Sequence, residues 1–182
     1  MLEIVIFILV TISFIYISRY ALKNITSHGF YRFFAFEGIL ALLLLNYRYW
    51  FVDRFSNQQI ISWTLLAFSL FFLFNSLLLL KQEGGYKNRE TVSENLTFEN
   101  TLNLVESGIY GYIRHPMYSS LLLLAWGIFL KNITLWTTLL SICITLFLYL
   151  TARFEEQENI DFFGEKYYKY MSRTKLFIPW II

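Results

Sequence analysis

The sequence has few of the residues that usually bind metals or form cross-links. Its 182 residues include one cysteine, Cys143, and two histidines, His28 and His115. A lone cysteine forms no disulfide within the chain and no cysteine metal cluster, so we predict no metal site and interpret Cys143, within an apolar run, as a packing residue. The glycines form no phosphate-binding loop and have no strand-turn-helix context. These absences argue against a soluble nucleotide-binding domain.

Charged residues are also scarce. They make up 15% of the chain, against 57% hydrophobic and 20% aromatic residues, which is far from the composition of a soluble domain. Runs of about 20 apolar residues recur, and a helix of that length crosses a hydrocarbon core of about 30 Å. The sequence therefore predicts an integral, multi-pass membrane protein with an all-α fold. The net charge of +2 gives no indication of nucleic-acid binding.

Apolar runs predict a bundle of about five transmembrane helices. They cover residues 2–21, 30–51, 60–80, 117–130 and 133–152. The fourth run is short for a full crossing, and Lys131 and Asn132 alone separate it from the fifth, so these two runs predict a tight hairpin. The first run has no basic flank and no small-residue cleavage site, and we interpret it as a retained span rather than a signal peptide.

The basic residues predict how these spans are oriented. Only Arg48, Arg54 and Lys131 of the 15 lysines and arginines fall on one face of a five-span bundle. Because basic residues collect on the cytoplasmic side, the N-terminus is predicted outside and the C-terminus inside. We divide this single membrane domain into three N-terminal spans, a cytoplasmic loop, and the hairpin with its C-terminal segment, at residues 1–80, 81–116 and 117–182.

The most informative stretch reads GIYGYIRHPMY, residues 108–118, where a polar loop meets an apolar helix. Pro116 has a fixed φ and no N–H, which suits a first helical turn, and it pushes His115 toward an extended backbone. Arg114, His115 and Tyr118 are thus expected at a helix N-terminus, where unpaired N–H groups favour an anion. The same residues also fit a juxtamembrane turn whose arginine contacts lipid phosphate.

Two glutamates follow where the fifth span ends, although a basic residue would suit a helix C-terminus better. Neighbouring helix positions point about 100° apart, so only one of Glu155 and Glu156 is expected to share a pocket with His115, 40 positions earlier. The alternative is a solvated acidic collar.

Beyond the pair, aromatic and apolar residues at three- or four-residue spacing predict an amphipathic helix on the cytoplasmic surface. They are Ile160, Phe163, Tyr167 and Tyr170.

Taken together, these elements resemble the membrane methyltransferases that include isoprenylcysteine carboxyl methyltransferases and phospholipid N-methyltransferases. The shared pattern is G-x-Y-x-x-x-R-H-P-x-Y, two helices, E-E, F-G-x-x-Y-x-x-Y and a late proline, and it covers about residues 104–179. The chain departs from the pattern at Ile109, where proline is frequent, and at Ser119-Ser120, where a small residue and glycine are common. Neither change removes a polar ligand. The loop 84–104 is also longer.

The resemblance implies an enzyme that uses S-adenosylmethionine as cofactor on the cytoplasmic side. Its methyl group would pass to a lipid-like or amphiphilic acceptor, small or lipidated, that arrives from the bilayer. A sulfonium donor already carries an activated leaving group, so neither a metal nor a covalent nucleophile is required. Whether the acceptor offers a carboxylate, an amine or a thiol is left open, as is the oligomeric state.

For the donor, the resemblance implies a site with charged and aromatic parts. Arg114 and His115, with the start of the helix, would hold the methionyl carboxylate or the ribose. Glu155 or Glu156 would receive the ammonium or the ribose hydroxyls. Aromatic faces attract a cation, and the tyrosines that would enclose the adenine and the sulfonium are Tyr110, Tyr118, Tyr167 and Tyr170.

The acceptor side is predicted within the first three spans. Glu37 lies about two turns into the second span, where an ionised carboxylate is costly and often functional. His28 and Arg32 precede it, so these residues predict a headgroup site in which Glu37 or His28 draws off a proton. Arg173, near the tail, is the candidate for a carboxylate or phosphate acceptor. An ion pair with Arg32 or an interhelical hydrogen bond would equally explain Glu37.

Two other functions compete with this one. A haem-binding membrane protein is conceivable because His28 and His115 fall on the same face, but His28 is predicted in a loop and His115 precedes a proline. A non-catalytic helper or transporter would keep the fold and lack the chemistry. Binding of S-adenosylmethionine separates this last class from the enzyme.

Overall fold

The computed structural model describes residues 1–85, 96 and 101–179. Within them lie six α-helices: α1 Leu2–Ile17, α2 His28–Asn46, α3 Asn57–Glu83, α4 Pro116–Phe129, α5 Leu135–Phe163 and α6 Glu165–Arg173. This part of the chain contains no β-strand beyond one isolated bridge, so the predicted all-α bundle is confirmed. The middle of the predicted cytoplasmic loop lies outside the described residues.

Three of these helices are long and apolar enough to cross a membrane. They are α2 with the turn that follows it, His28–Tyr49, together with α3 and α5. Helices α1 and α4 are apolar but shorter, with 16 and 14 residues. At about 1.5 Å per residue, α4 is only about 21 Å long, as expected for a run too short to cross fully. The chain is therefore an integral membrane protein, and its orientation stays a prediction.

Two glycines lie at helix crossings, where they allow neighbouring helices to pack closely. Helix α2 packs along α5, where a Cβ on Gly38 would lie 2.6 Å from Cγ1 of Ile144. Helix α3 packs along α4, where a Cβ on Gly127 would lie 2.9 Å from the Leu66 side chain. Small residues at such crossings allow two backbones to pack closely inside a membrane, where van der Waals contact drives helix association.

The predicted helical hairpin is present, with residues 130–134 joining α4 to α5. Thr134 begins α5 with a capping box, in which its hydroxyl accepts from the Thr137 N–H and the Thr137 hydroxyl accepts from the Thr134 N–H. Helix α5 then continues to Phe163, well past the predicted end at residue 152. Glu155 and Glu156 are therefore inside a continuous helix.

Gly164 ends α5 and separates it from α6. Its φ of 61° lies in the region that favours glycine, and α6 begins at the next residue. The chain therefore bends at Gly164, and the bend divides the predicted amphipathic helix in two. Ile160 and Phe163 belong to α5, whereas Tyr167 and Tyr170 are the buried residues of α6.

Side chains of α2 and α3 cap the C-terminal end of α4. The last carbonyls of a helix have no partner within it, and leaving them unpaired in a membrane is costly. Four side chains donate to this end: Asn46 to Ile128 O at 2.8 Å, Gln58 to Leu130 O at 2.6 Å, Gln59 to Lys131 O at 3.2 Å and Ser62 to Gly127 O at 2.7 Å. Helix α4 can therefore end within the bundle.

Lys131 adds a buried cation to this end of α4. It is 3% exposed, and its Nζ donates to Gln59 Oε1 at 3.0 Å and lies 3.6 Å from the ring centroid of Trp63. A positive charge at a helix C-terminus and over an indole face is favourable. Burial lowers the pKa of Lys131. Lys131, a polar break between two apolar runs in the sequence, thus stabilises the hairpin through these contacts.

We expect Gln59→Leu to destabilise the protein by about 1–3 kcal/mol, because it leaves the Lys131 ammonium and carbonyl without their partner. Gln58→Leu is the matched control, since that side chain is exposed and its partner is the carbonyl of Leu130, which is only half-buried. Unfolding midpoints in detergent measure both. Equal midpoints for the two variants would show that the cap on Lys131 does not stabilise the hairpin.

Candidate functional site

A cavity lies where residues 101–118 meet the end of α5 and the start of α6. Seven of the eight residues predicted for the donor line it: Tyr110, Arg114, His115, Tyr118, Glu155, Tyr167 and Tyr170. Glu156 is the eighth, and it is not among the lining residues. Sequence reasoning missed Asn159, one turn after Glu155 on the same helix, and Leu104 and Val105, which lie in a stretch without any motif.

The backbone of His115 is held from two sides. Pro116 is the first residue of α4, as the sequence predicted, and His115 before it is non-helical, with φ −122° and ψ 61° rather than a fully extended backbone. On the other side runs the segment after α6: Lys175 O accepts from the Arg114 N–H at 2.8 Å, and Leu176 O accepts from the His115 N–H at 3.1 Å. This short parallel pairing fixes the imidazole between α4 and the C-terminal segment.

The His115 ring is buried and faces both glutamates. It is 5% exposed and stacks on Tyr118, with 14° between the planes. Nδ1 lies 3.5 Å from Glu155 Oε2, whereas Nε2 lies 3.8 Å from Glu156 Oε1 and has no hydrogen-bond partner among the described residues. Burial by itself lowers the pKa of His115, but the two carboxylates outweigh burial and hold that pKa above its ordinary value.

The Glu156 carboxylate is paired with two arginines. It is 2% exposed and accepts from Arg114 Nε at 2.5 Å and from Arg153 Nη1 at 2.8 Å. Arg114 Nη1 also donates to the carbonyls of Met171, at 3.3 Å, and Thr174. This network joins α5, the loop before α4 and the end of α6, and its hydrogen bonds hold these three segments together.

Glu155 has a different environment. Its side chain is 23% exposed, lines the cavity, and has the His115 ring as its nearest cationic partner at 3.5 Å. The two glutamates thus differ as the 100° rotation between helix neighbours requires. One carboxylate is neutralised by arginines, and the other is presented to the cavity.

Three tyrosines, Tyr110, Tyr167 and Tyr170, form an aromatic wall of the cavity beside these charges. Tyr167 and Tyr170 are buried with their rings 5.7 Å apart, and the Tyr170 hydroxyl donates to the Tyr110 carbonyl at 2.8 Å. Burial is the main cause that raises the pKa of Tyr167 and of Tyr170. Both phenols therefore remain neutral at physiological pH, and the wall offers π faces rather than phenolate charge.

His28 lies outside the cavity lining and not in the predicted loop. It is the first residue of α2, which Ser27 caps, because the Ser27 hydroxyl accepts from the second N–H of the helix. The His28 N–H donates to Glu158 Oε1 at 3.0 Å, and Nδ1 is 2.7 Å from Glu158 Oε2. Arg32 Nη1 is 3.3 Å from His28 Nε2. The histidine thus belongs to a buried network between α2 and α5.

Glu37 and Arg173 also lie outside the cavity lining. Glu37 Oε2 accepts from the Thr11 hydroxyl on α1 at 2.7 Å, and Oε1 is buried without a partner among the described residues. This is the interhelical hydrogen bond that the sequence left open. Arg173 pairs with Glu106. The structure therefore brings the predicted donor residues together, whereas His28, Glu37 and Arg173 have separate partners and their roles stay predictions.

We expect Glu156→Gln to lower the free energy of unfolding by about 3 kcal/mol, because it leaves the buried Arg114 guanidinium without its counter-charge. Glu155→Gln is the matched control, and we expect it to change stability much less, since no arginine pairs with it. Unfolding midpoints in detergent compare the two. A larger loss for the Glu155 variant would contradict the assignment of Glu156 to the structural network.

The raised pKa of His115 can be measured directly, because the chain has only two histidines. We expect an NMR titration of labelled histidine to give a pKa above 6.5 for His115, and a lower pKa in Glu155→Gln. Since folding raises this pKa, the protonated ring stabilises the fold fully below about pH 6.5, and that contribution is lost as pH rises through the raised value. An unchanged pKa in the variant would contradict the pairing.

Comparisons with known proteins agree with the motif. A model of the family described as phospholipid methyltransferase matches residues 57–167. Methanethiol S-methyltransferase 1 of Bradyrhizobium diazoefficiens is 29% identical over 72 residues, which are 40% of this chain and 25% of that protein. Methanethiol S-methyltransferase of Pseudomonas deceptionensis is 27% identical over 71 residues, or 39% and 26%.

The chain thus matches only about a quarter of the length of these two curated relatives. No solved structure matches it. The predicted resemblance to membrane methyltransferases is nevertheless confirmed, because the family model covers the chain from α3 to the start of α6, which contains all the cavity-lining residues except Tyr170. Since the match extends over more than half of its residues, this chain belongs to the phospholipid methyltransferase family.

Proposed function

We propose that the protein is an S-adenosylmethionine-dependent methyltransferase that acts at the membrane on a lipid-like or amphiphilic acceptor. Membership of the family and the names of both relatives support methyl transfer. The observation that carries the proposal is the cavity in which the Glu155 carboxylate and the His115 imidazole lie within 3.5 Å of each other against neutral tyrosines. An anion, a hydrogen-bond donor and π faces suit a donor with cationic, anionic and aromatic parts.

The residues fit such a donor by charge. Nε2 of His115 is a buried nitrogen without a partner among the described residues, so it is available to a carboxylate or a hydroxyl of a ligand. Its raised pKa favours the protonated, hydrogen-bond-donating form. Glu155 would hold the ammonium or the ribose hydroxyls. When bound, the donor supplies a methyl group on a sulfonium, a cation that the faces of Tyr118, Tyr167 and Tyr170 would attract.

This proposal refines the roles expected from the sequence. Glu155, rather than Glu156, contacts the donor, because the arginines already satisfy Glu156. Arg114 is a positioning residue, since its Nε and Nη1 donate to Glu156 and to backbone carbonyls. It keeps the end of α5 against the loop that carries His115.

Donor binding also requires the walls of the cavity to separate. The cavity encloses about 80 Å³, whereas pockets for drug-sized ligands have volumes of about 300–1,000 Å³. Besides Arg114 and His115, which hydrogen bonds to Lys175 and Leu176 hold in place, the lining residues that belong to no helix are Thr101, Leu104 and Val105. Their movement away from α5 would admit the donor, and their return would exclude water from the reacting atoms.

For the acceptor, His28, Glu37 and Arg173 remain our candidates with different support. His28 pairs with Glu158, which follows Glu155 by less than one turn of α5. The Arg173 guanidinium lies 6.0 Å from the ring centroid of Tyr170, which lines the donor cavity. Glu37 and Arg173 are engaged by Thr11 and Glu106. We propose the cytoplasmic side for the cavity, with the C-terminus, on the distribution of basic residues.

Glu155→Gln should weaken binding of S-adenosylmethionine by about 2 kcal/mol, roughly thirtyfold in Kd, because a charged hydrogen-bond acceptor becomes neutral. Asp161→Asn, an exposed acid on the same helix, is the matched control and should bind like the wild type. Calorimetry or radioligand binding in detergent measures both. Wild-type affinity in the Glu155 variant would refute the assigned donor contact.

Transfer itself is tested by supplying methyl-labelled donor to membranes that contain the protein. We expect label to enter the lipid-extractable fraction, and Glu155→Gln to reduce this incorporation about fourfold at donor concentrations of about ten times the wild-type Kd, because a thirtyfold weaker Kd lowers the occupancy by that factor. The same membranes without the protein are the control. Donor binding without any protein-dependent label in lipid, protein or volatile fractions would instead identify a non-catalytic member of the family.

A further inference from the structure

Three residues of α5 line the donor cavity at four-residue spacing. They are Glu155, Asn159 and Phe163. Residues four positions apart lie on the same helix face, and each such step moves about 6 Å along the helix axis. A carboxylate, a carboxamide and a phenyl ring therefore follow one another over about 12 Å. The cavity thus has a charged end at Glu155 and an apolar end at Phe163.

The neighbouring walls follow the same gradient. At the charged end, the His115 imidazole lies 3.5 Å from Glu155 Oε2. At the apolar end, the ring of the buried Tyr167 is nearly parallel to the Phe163 ring, with 16° between the planes and 6.4 Å between the centroids. A carboxylate placed at these rings would lose its hydration and gain no counter-charge, whereas a neutral aromatic base would gain stacking. The apolar end therefore suits the base of the donor.

Asn159 lies between these ends and is the one carboxamide among the described residues that line the cavity. Its side chain is half-buried, and its amide interacts with the Tyr167 hydroxyl. Burial raises the pKa of Tyr167, and this interaction partly offsets the rise. A carboxamide has two N–H donors and an oxygen with two lone pairs, so one contact leaves most of its hydrogen-bonding capacity for a ligand.

Adenine matches the Asn159 amide. Adenine has an amino group that donates next to a ring nitrogen that accepts, and an asparagine amide in the plane of the base pairs with both at once. A base held at Asn159 leaves the amino-acid end of the donor about one helical turn away, beside Glu155 and His115. The Glu155 carboxylate then receives the ammonium, and Nε2 of His115 donates to the methionyl carboxylate.

We propose that Asn159 recognises the adenine of the donor and makes the site specific for that base. The donor lies along α5 with its base at Phe163 and Tyr167, and its amino-acid end lies at Glu155 and His115. The inference rests on the proposed function and fixes the direction of the bound donor. The Glu155 charge alone leaves that direction open, because an ammonium and a ribose hydroxyl both donate to a carboxylate.

Ligand analogues test the contact and the direction together. The probes are S-adenosylhomocysteine, which is the donor without its methyl group, and two analogues of it. One analogue carries unsubstituted purine in place of adenine, and the other lacks the α-amino group. Calorimetry in detergent gives the Kd of each for the wild type, Asn159→Leu and Glu155→Gln. Gln157→Leu is the matched control, because it removes an exposed carboxamide from the same helix.

We expect the wild type and Gln157→Leu to bind the purine analogue about tenfold more weakly than S-adenosylhomocysteine, because the Asn159 oxygen loses the amino group from which it accepts. In Asn159→Leu this ratio should fall to about one, while loss of the α-amino group should still weaken binding. Glu155→Gln should show the opposite pattern. A residue that only orients Tyr167 would instead weaken all three ligands alike.

A second variant, Asn159→Asp, keeps the oxygen that accepts from the amino group and loses the N–H donors. It should therefore keep the preference for adenine over purine, with a lower affinity for both ligands.

Two results would overturn the inference and leave the proposed function standing. One is a preference for adenine that Asn159→Leu retains or Asn159→Asp loses. The other is a preference that disappears in Glu155→Gln, since that would place the base at the charged end. If the wild type binds neither S-adenosylmethionine nor S-adenosylhomocysteine, the proposed function fails and this inference fails with it.

Discussion

The buried ion pair between Arg114 and Glu156 is the contact on which the site depends. It joins two residues far apart in the chain at 2.5 Å, and Arg114 extends the link to backbone carbonyls at the end of α6. A charge buried this deeply is tolerable only when it is neutralised in place, so the loop, α5 and α6 can adopt one relative position. The cavity follows from that position.

The same ion pair explains why adjacent glutamates have unlike roles. Glu156 faces the arginines, and the rotation of one helix position turns Glu155 toward His115. Had both carboxylates been paired, the cavity would present no anion, and had neither been paired, two charges would repel in a buried place. The division lets one sequence motif supply both a buried support for the cavity and an accessible carboxylate in its lining.

Local chemistry made part of this arrangement predictable. Pro116 marked the start of α4, and the hairpin followed from the short break at Lys131 and Asn132. Backbone contacts between distant segments were not predictable in this way. The pairing of Lys175 and Leu176 with the backbone before α4 has no sequence signal, because any residue can supply a carbonyl. His28 was misplaced because apolar periodicity begins only after it, although Ser27 is an N-cap residue.

The capped end of α4 also bears on how the chain assembles. Its donors come from α2 and α3, both of which are synthesised before the hairpin. Until those donors are in place, the carbonyls at the end of α4 would meet lipid at a cost of several kcal/mol. The hairpin is therefore not stable in the bilayer until α2 and α3 have formed. This requirement orders insertion from the N-terminal half of the chain to the C-terminal half.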